Sequence, residues 1–160
     1  MAALFTTFPA KKLLASMRIN GLWYAGDDGM RRPVIRGEVL TSNGLWIKAP
    51  FLVDTGADLT VLSAAILADV HLQPLALQDR LGGVGGIADS VAVETQIRFS
   101  RETRSKVTFR GQNAAVTEVE ALDISVLGQD ILGLFSVIVD QPGNVVCLLG
   151  QQHRYVIEQS

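Results

Sequence analysis

Phe51-Leu52-Val53-Asp54-Thr55-Gly56-Ala57-Asp58-Leu59-Thr60-Val61-Leu62 is the stretch on which the fold turns. An apolar run meets an acid, a small hydroxyl residue and a glycine, and a second apolar run follows. A strand with one wet face alternates polar and apolar residues. Phe51-Leu52-Val53 does not, so it reads as a strand buried on both faces. A carboxylate at the end of such a strand is costly unless it is hydrogen-bonded or paired. Gly56 lets the backbone turn tightly enough to aim N–H groups at Asp54. Clusters of this kind also make ordinary turns, but a plain turn rarely sits between two continuous apolar runs. Asp54 therefore reads as an acid held in place for use.

Working outward, Val34 to Leu40, the Asn43-Gly44 turn and Leu45 to Ile47 read as a hairpin that leads into the Asp54 stretch. On the other side, Ser63 is a good N-cap for a short helix over residues 64–70. Leu81-Gly82-Gly83-Val84-Gly85-Gly86-Ile87 then packs glycines around one apolar residue. It fails as a phosphate loop, since no lysine follows and no helix begins there. Flanked by strand-like residues such as Val91-Ala92-Val93, it reads as a mobile hairpin tip. Separate strands are expected near Ile97 to Phe99 and Lys106 to Phe109, with partial alternation from Ala114 to Leu122. Ile124 to Gly128 is an apolar strand ending on glycine, and Gln129 to Leu132 reads as a helical turn or two. Phe135 to Val139 and Val145 to Leu149 close the chain as a hairpin. Residues 1–32 read as an N-terminal arm or edge element, with a short helix over Lys11 to Ile19. Residues 33–150 form the domain and residues 151–160 a tail. The class is all-β with one or two short helices.

At 160 residues, 48% hydrophobic and 19% charged, the chain fits one globular domain. A net charge of −2 gives no electrostatic pull toward nucleic acid or anionic lipid. The basic residues Arg98, Arg101, Arg104, Lys106 and Arg110, with Glu102 among them, read as a solvated hairpin. A single cysteine, Cys147, excludes an internal disulfide and fits a reducing compartment. The apolar run over residues 131–139 is about half the length a membrane helix needs, and the N-terminal charges follow the apolar residues, the wrong order for a secretory signal. A soluble cytoplasmic protein is expected. His71, His153 and Cys147 stand apart, so neither metal nor cofactor is expected. No G-x-S-x-G elbow occurs, and Cys147 sits in an apolar strand as a small hydrophobe. Asp140 echoes the frame of Asp54, but Pro142 removes a backbone N–H that its carboxylate would need, so it reads as a turn residue.

Three pieces together resemble the retropepsins, the retroviral-type aspartic proteases. Asp54 to Leu62 is similar to that family's catalytic loop almost residue for residue. Leu81 to Ile87 resembles its glycine-rich flap, with Val84 at the tip. Val126 to Leu132 resembles its apolar-apolar-Gly strand running into a short helix. The order is right, the likeness covers about residues 33–150, and the helix after Ser63 and the closing hairpin look closer to cellular and bacterial members. The resemblance implies the closed acid-protease β-fold and an aspartic endopeptidase that cuts extended polypeptides. One Asp-Thr-Gly per chain is half of what that chemistry needs, because it uses two carboxylates about 3 Å apart sharing one proton. A homodimer with a two-fold axis through the site supplies the other half. By the same resemblance Asp54, Thr55 and Gly56 are the catalytic residues: the acid, the lock between loops and a binder of substrate backbone. Ala57, Asp58, Gly82, Gly83, Val84, Gly85 and Val126 are the expected substrate contacts. The chain departs from the family at Gln129, where an arginine often pairs with the acid that Asp58 matches. The alternative readings are a catalytically weak or inactive binding module of the same fold, and a small β-barrel that holds a hydrophobic ligand.

Overall fold

The computed structural model describes residues 17–83 and 86–150. β3 (Arg31–Leu40) and β4 (Trp46–Val53) form the expected hairpin, in register from Val34 opposite Leu52 to Leu40 opposite Trp46. Its turn is closed by the Thr41 N–H donating to the Leu45 carbonyl at 2.7 Å. After β5 (Val61–Leu62), the Ser63 hydroxyl accepts from the Ile66 N–H and starts helix α1 (Ala64–Val70). β6 (Ala76–Gly83), β7 (Gly86–Ser100) and β8 (Lys106–Val116) then run antiparallel. The short strands expected near Ile97 and Lys106 are the ends of these long ones, and β8 stops at Val116. A turn of 3-10 helix, Val119–Ala121, leads to β9 (Ser125–Leu127), helix α2 (Gln129–Leu132), β10 (Ser136–Asp140) and β11 (Val145–Leu149).

Upstream of β3 lie β1 (Arg18–Asn20) and β2 (Leu22–Ala25). Residues 11–16 of the expected N-terminal helix lie outside the described residues, and its end is a strand instead. Met17 and Ile19 are buried while Arg18 and Asn20 are exposed, a period of two and not of 3.6. β1 pairs with β11 at the edge of a three-stranded sheet, β1-β11-β10, and β2 lies at the edge of the large sheet.

The large sheet runs β2-β3-β4-β9-β5-β8-β7-β6, and β3 also pairs with β7. That additional pairing closes β3, β4, β9, β5, β8 and β7 into a ring, the closed β-fold that was expected. Phe51, Ile35, Leu62, Ile97, Phe99 and Leu127 are fully buried inside it. The Phe51 and Phe99 rings meet edge to face, 5.7 Å between centroids. Burying each such side chain stabilises the fold by about 1.5–3 kcal/mol.

An ion cluster marks the seam of the ring. Glu38 and Arg98 are direct register partners across β3 and β7. Arg98 Nε donates to Glu38 Oε2 at 2.8 Å, and so does Lys106 Nζ. The Arg98 guanidinium also lies 4.0 Å above the centre of the Trp46 ring. The hydrogen bond from Arg98, then that from Lys106, hold the Glu38 carboxyl down at about 2. Two members of the basic group expected to be solvated thus share one acid from another strand, and Lys106 stays exposed as expected.

Candidate active site

β9 lies between β4 and β5. Leu52 pairs with Val126 on one side, and Val61 pairs with the same Val126 on the other. The connection from Val53 to Val61 must therefore cross the end of β9, and Asp54 is the first residue of that crossing. Its N–H continues the ladder by donating to the Leu127 carbonyl at 3.2 Å. The Ala57 N–H closes a turn onto the Asp54 carbonyl at 3.2 Å. The Gly56 N–H donates to Asp54 Oδ1 at 2.9 Å. A Cβ on Gly56 would sit 3.3 Å from that oxygen, a tight contact that the carboxylate would have to yield to slightly. Sequence, turn and hydrogen bond thus deliver one held acid to the surface: Asp54 is half-buried, and Thr55 and Gly56 are exposed.

The loop is clamped from below by the start of α2. A Cβ on Gly128 would fall 2.4 Å from the carbonyl carbon and oxygen of Leu59, an approach that only glycine permits. With the backbones this close, three successive N–H groups reach the loop. Gly128 donates to Thr60 Oγ1 at 3.1 Å. Gln129 donates to the Ala57 carbonyl at 2.8 Å, and Asp130 to the Asp58 carbonyl at 3.1 Å. The Gln129 side chain adds a fourth bond, from Nε2 to the Thr55 carbonyl at 2.8 Å. Where the family often has an arginine facing the acid, this chain has a neutral brace on the other end of the loop.

Of the residues expected at the site, Asp54, Thr55, Gly56, Ala57 and Asp58 come together in this loop. Gly82 and Gly83 lie in the β6–β7 hairpin, where Gly82 pairs with Ile87 and Gly83 with Gly86. Val84 and Gly85, expected at the hairpin tip, lie outside the described residues. Val126 is 7% exposed in the middle of β9 and supports the crossing from beneath. Thr60 and Asp130 stand outside the expected set, yet Thr60 Oγ1 donates to Asp130 Oδ1 at 2.7 Å. The signal for Thr60 was a lone hydroxyl inside the run Leu59 to Leu62; buried at 0% exposure, it must find a partner.

Leu52 of β4 lines a cavity of about 700 Å3 with Tyr24, Leu122, Asp123 and Ile124, and Asp54 is not part of its lining. Asp28 on its rim is held at about 2 by its hydrogen bonds from Arg32 and the Met30 N–H. Among the described residues no group of three or more His, Cys, Asp or Glu gathers as a metal site, and no helix is long and apolar enough to cross a membrane.

A family model described as "gag-polyprotein putative aspartyl protease" matches residues 41–134, more than half of the chain and the whole of the clamped loop. A retropepsin-like aspartic protease from Rickettsia conorii shares the fold at a TM-score of 0.51 and 18% identity, over 82% of this chain and 98% of that one. The EIAV protease complexed with the inhibitor HBY-793 aligns at 23% identity over 64% of this chain and 86% of its own, with a TM-score of 0.45. A search of curated proteins finds no match. With Asp54-Thr55-Gly56 inside the matched span and a closed β-fold around it, the chain belongs to the retropepsin-like aspartic proteases of the gag-polyprotein type.

Proposed function

We propose that the protein is an aspartic endopeptidase whose active site forms across a homodimer, with Asp54 from each chain completing a dyad. The observation that carries this reading is the placement of Asp54. One acid emerges from a buried strand, is fixed by the Gly56 N–H and stands half-exposed. Each chain contributes a single such acid, and peptide hydrolysis of this kind needs two that share a proton. A two-fold axis beside Asp54 meets that need with no further residue.

In the dimer the ionised carboxylate takes a proton from water as the water oxygen bonds to the scissile carbonyl carbon. The protonated carboxyl of the other chain donates to the carbonyl oxygen. Collapse of the tetrahedral species then breaks the C–N bond, and the leaving nitrogen takes up a proton from the dyad. Thr55 contacts its counterpart across the axis. Gly56, Ala57 and Asp58 line the floor along which an extended substrate runs, and the hairpin that carries Gly82 and Gly83 covers it as a flap. No cofactor takes part, and the compartment proposed is the cytoplasm, where Cys147 stays a thiol.

The rival reading, a binding module of the same fold without useful catalysis, drew its support from the missing arginine. The Gln129 bond to Thr55 weakens that support, since the loop is braced without a cation. The deciding experiment compares wild type and Asp54→Asn on a peptide library at several pH values. The swap conserves shape, so the variant should stay folded and lose cleavage. Cleavage retained by the purified variant would overturn the proposal.

A further inference from the structure

Beneath the clamp runs a line of polar side chains that the dyad chemistry does not use. Thr60, at the end of the loop, donates from Oγ1 to Asp130 Oδ1 at 2.7 Å and accepts from the Gly128 N–H. Asp130 Oδ1 also takes the Ile131 N–H at 3.0 Å. Asp130 Oδ2 faces Asn113 Nδ2 on β8 across a long contact of 3.5 Å. Asn113 Oδ1 in turn accepts from the Thr95 hydroxyl on β7. Thr60, Asn113 and Thr95 are 0%, 9% and 2% exposed, so each of these groups depends on its protein partner. β7 is also the strand that begins at Gly86 in the glycine-rich hairpin.

We propose that Asp130 is a positioning residue, which sets the direction of every hydrogen bond in this line and so ties the loop carrying Asp54 to the strand carrying the hairpin. The reason is donor and acceptor count. An ionised carboxylate can only accept. Facing it, the Thr60 hydroxyl must spend its one proton on Asp130, which leaves its lone pair for the Gly128 N–H. Asn113 must turn its NH2 toward Asp130, which leaves its carbonyl for the Thr95 hydroxyl. A line whose directions are fixed on both sides of one obligate acceptor holds a single arrangement. The inference rests on the proposed proteolytic reading for its effect on turnover, but not for its effect on the loop.

The test reverses the central contact of the line. Asn113→Asp alone sets two carboxylates at the 3.5 Å contact, a like-charge pair. Asp130→Asn in the same chain restores one acid and one amide, with the amide now donating from position 130 and both threonine hydroxyls donating as before. At neutral pH the Asn113→Asp chain should melt at lower temperature, lose amide-exchange protection at Ala57 and show kcat lower by about tenfold or more with KM within about twofold. The double variant should recover all three to within about twofold of wild type. If Asn113→Asp does not fold, recovery of a folded chain in the double variant is the same result. A harmless Asn113→Asp, or a double variant no better than the single, would overturn the proposal. If wild type itself cleaves nothing, the proteolytic reading fails, while melting temperature and exchange at Ala57 still decide this one.

Discussion

Replacing Glu38 by glutamine removes the anion at the seam where β3 meets β7, and leaves Arg98 and Lys106 facing each other without it. Hydrogen bonds from Arg98 and then Lys106 bring the Glu38 carboxyl from 4.5 to about 2. At about 1.4 kcal/mol per unit, that gap sets a ceiling of about 3.5 kcal/mol on the contribution of the charged form. Lys106 is 41% exposed, and solvent screens its share, so about 1–2 kcal/mol is the expected loss at neutral pH. The folded-state value is the lower one, so the charge stabilises the fold fully above the unfolded value of 4.5. The benefit shrinks as pH falls below that and is gone below about 2. The assay is urea unfolding of wild type and Glu38→Gln at equal protein concentration, from neutral pH down in steps. A difference under about 0.3 kcal/mol at neutral pH, or one that does not shrink in acid, would refute the reasoning. The window matters because an aspartic protease is assayed in acid, where this seam begins to loosen.

Gly128→Ala puts a methyl group 2.4 Å from the Leu59 carbonyl, against backbone that cannot rotate away. The expected loss is about 1–3 kcal/mol, read as a lower melting temperature, and an unchanged melting curve would show that the loop is not clamped. Gln129→Ala removes the bond to the Thr55 carbonyl at an exposed position. It should lower stability by only about 0.5–1.5 kcal/mol, with a proportionally larger fall in kcat. Equal kcat in the two proteins would mean that the brace is idle.

The acid, its glycine and both tight hairpins were legible because their chemistry is local. Asp54 meets Gly56 two residues on, and Ser63 caps a helix that begins at the next residue. Asp140 behaves as the turn residue its Pro142 implied, with Oδ1 accepting from the Gly143 N–H at 2.9 Å. The insertion of β9 between β4 and β5 was not legible, since Val126 finds Leu52 and Val61 only through the closed topology. β1 was misread for a related reason. Three strand residues next to a helix-like segment carry too few positions to separate a period of two from 3.6. Arg98 and Lys106 showed no partner in the sequence because Glu38 lies on a strand 60 or more residues away along the chain. The clamp was hidden in the same way: Gln129 was noted as a departure, and only the fold shows which carbonyl it meets.

The central claim, a dyad shared between two chains, is tested most directly by mixing wild type with Asp54→Asn at constant total concentration and letting subunits exchange. If each site needs Asp54 from both chains, activity falls as the square of the wild-type fraction, and an equal mixture keeps about one quarter of the activity. A linear fall, with about one half left in the equal mixture, would mean that a single chain carries a complete site and would contradict the account.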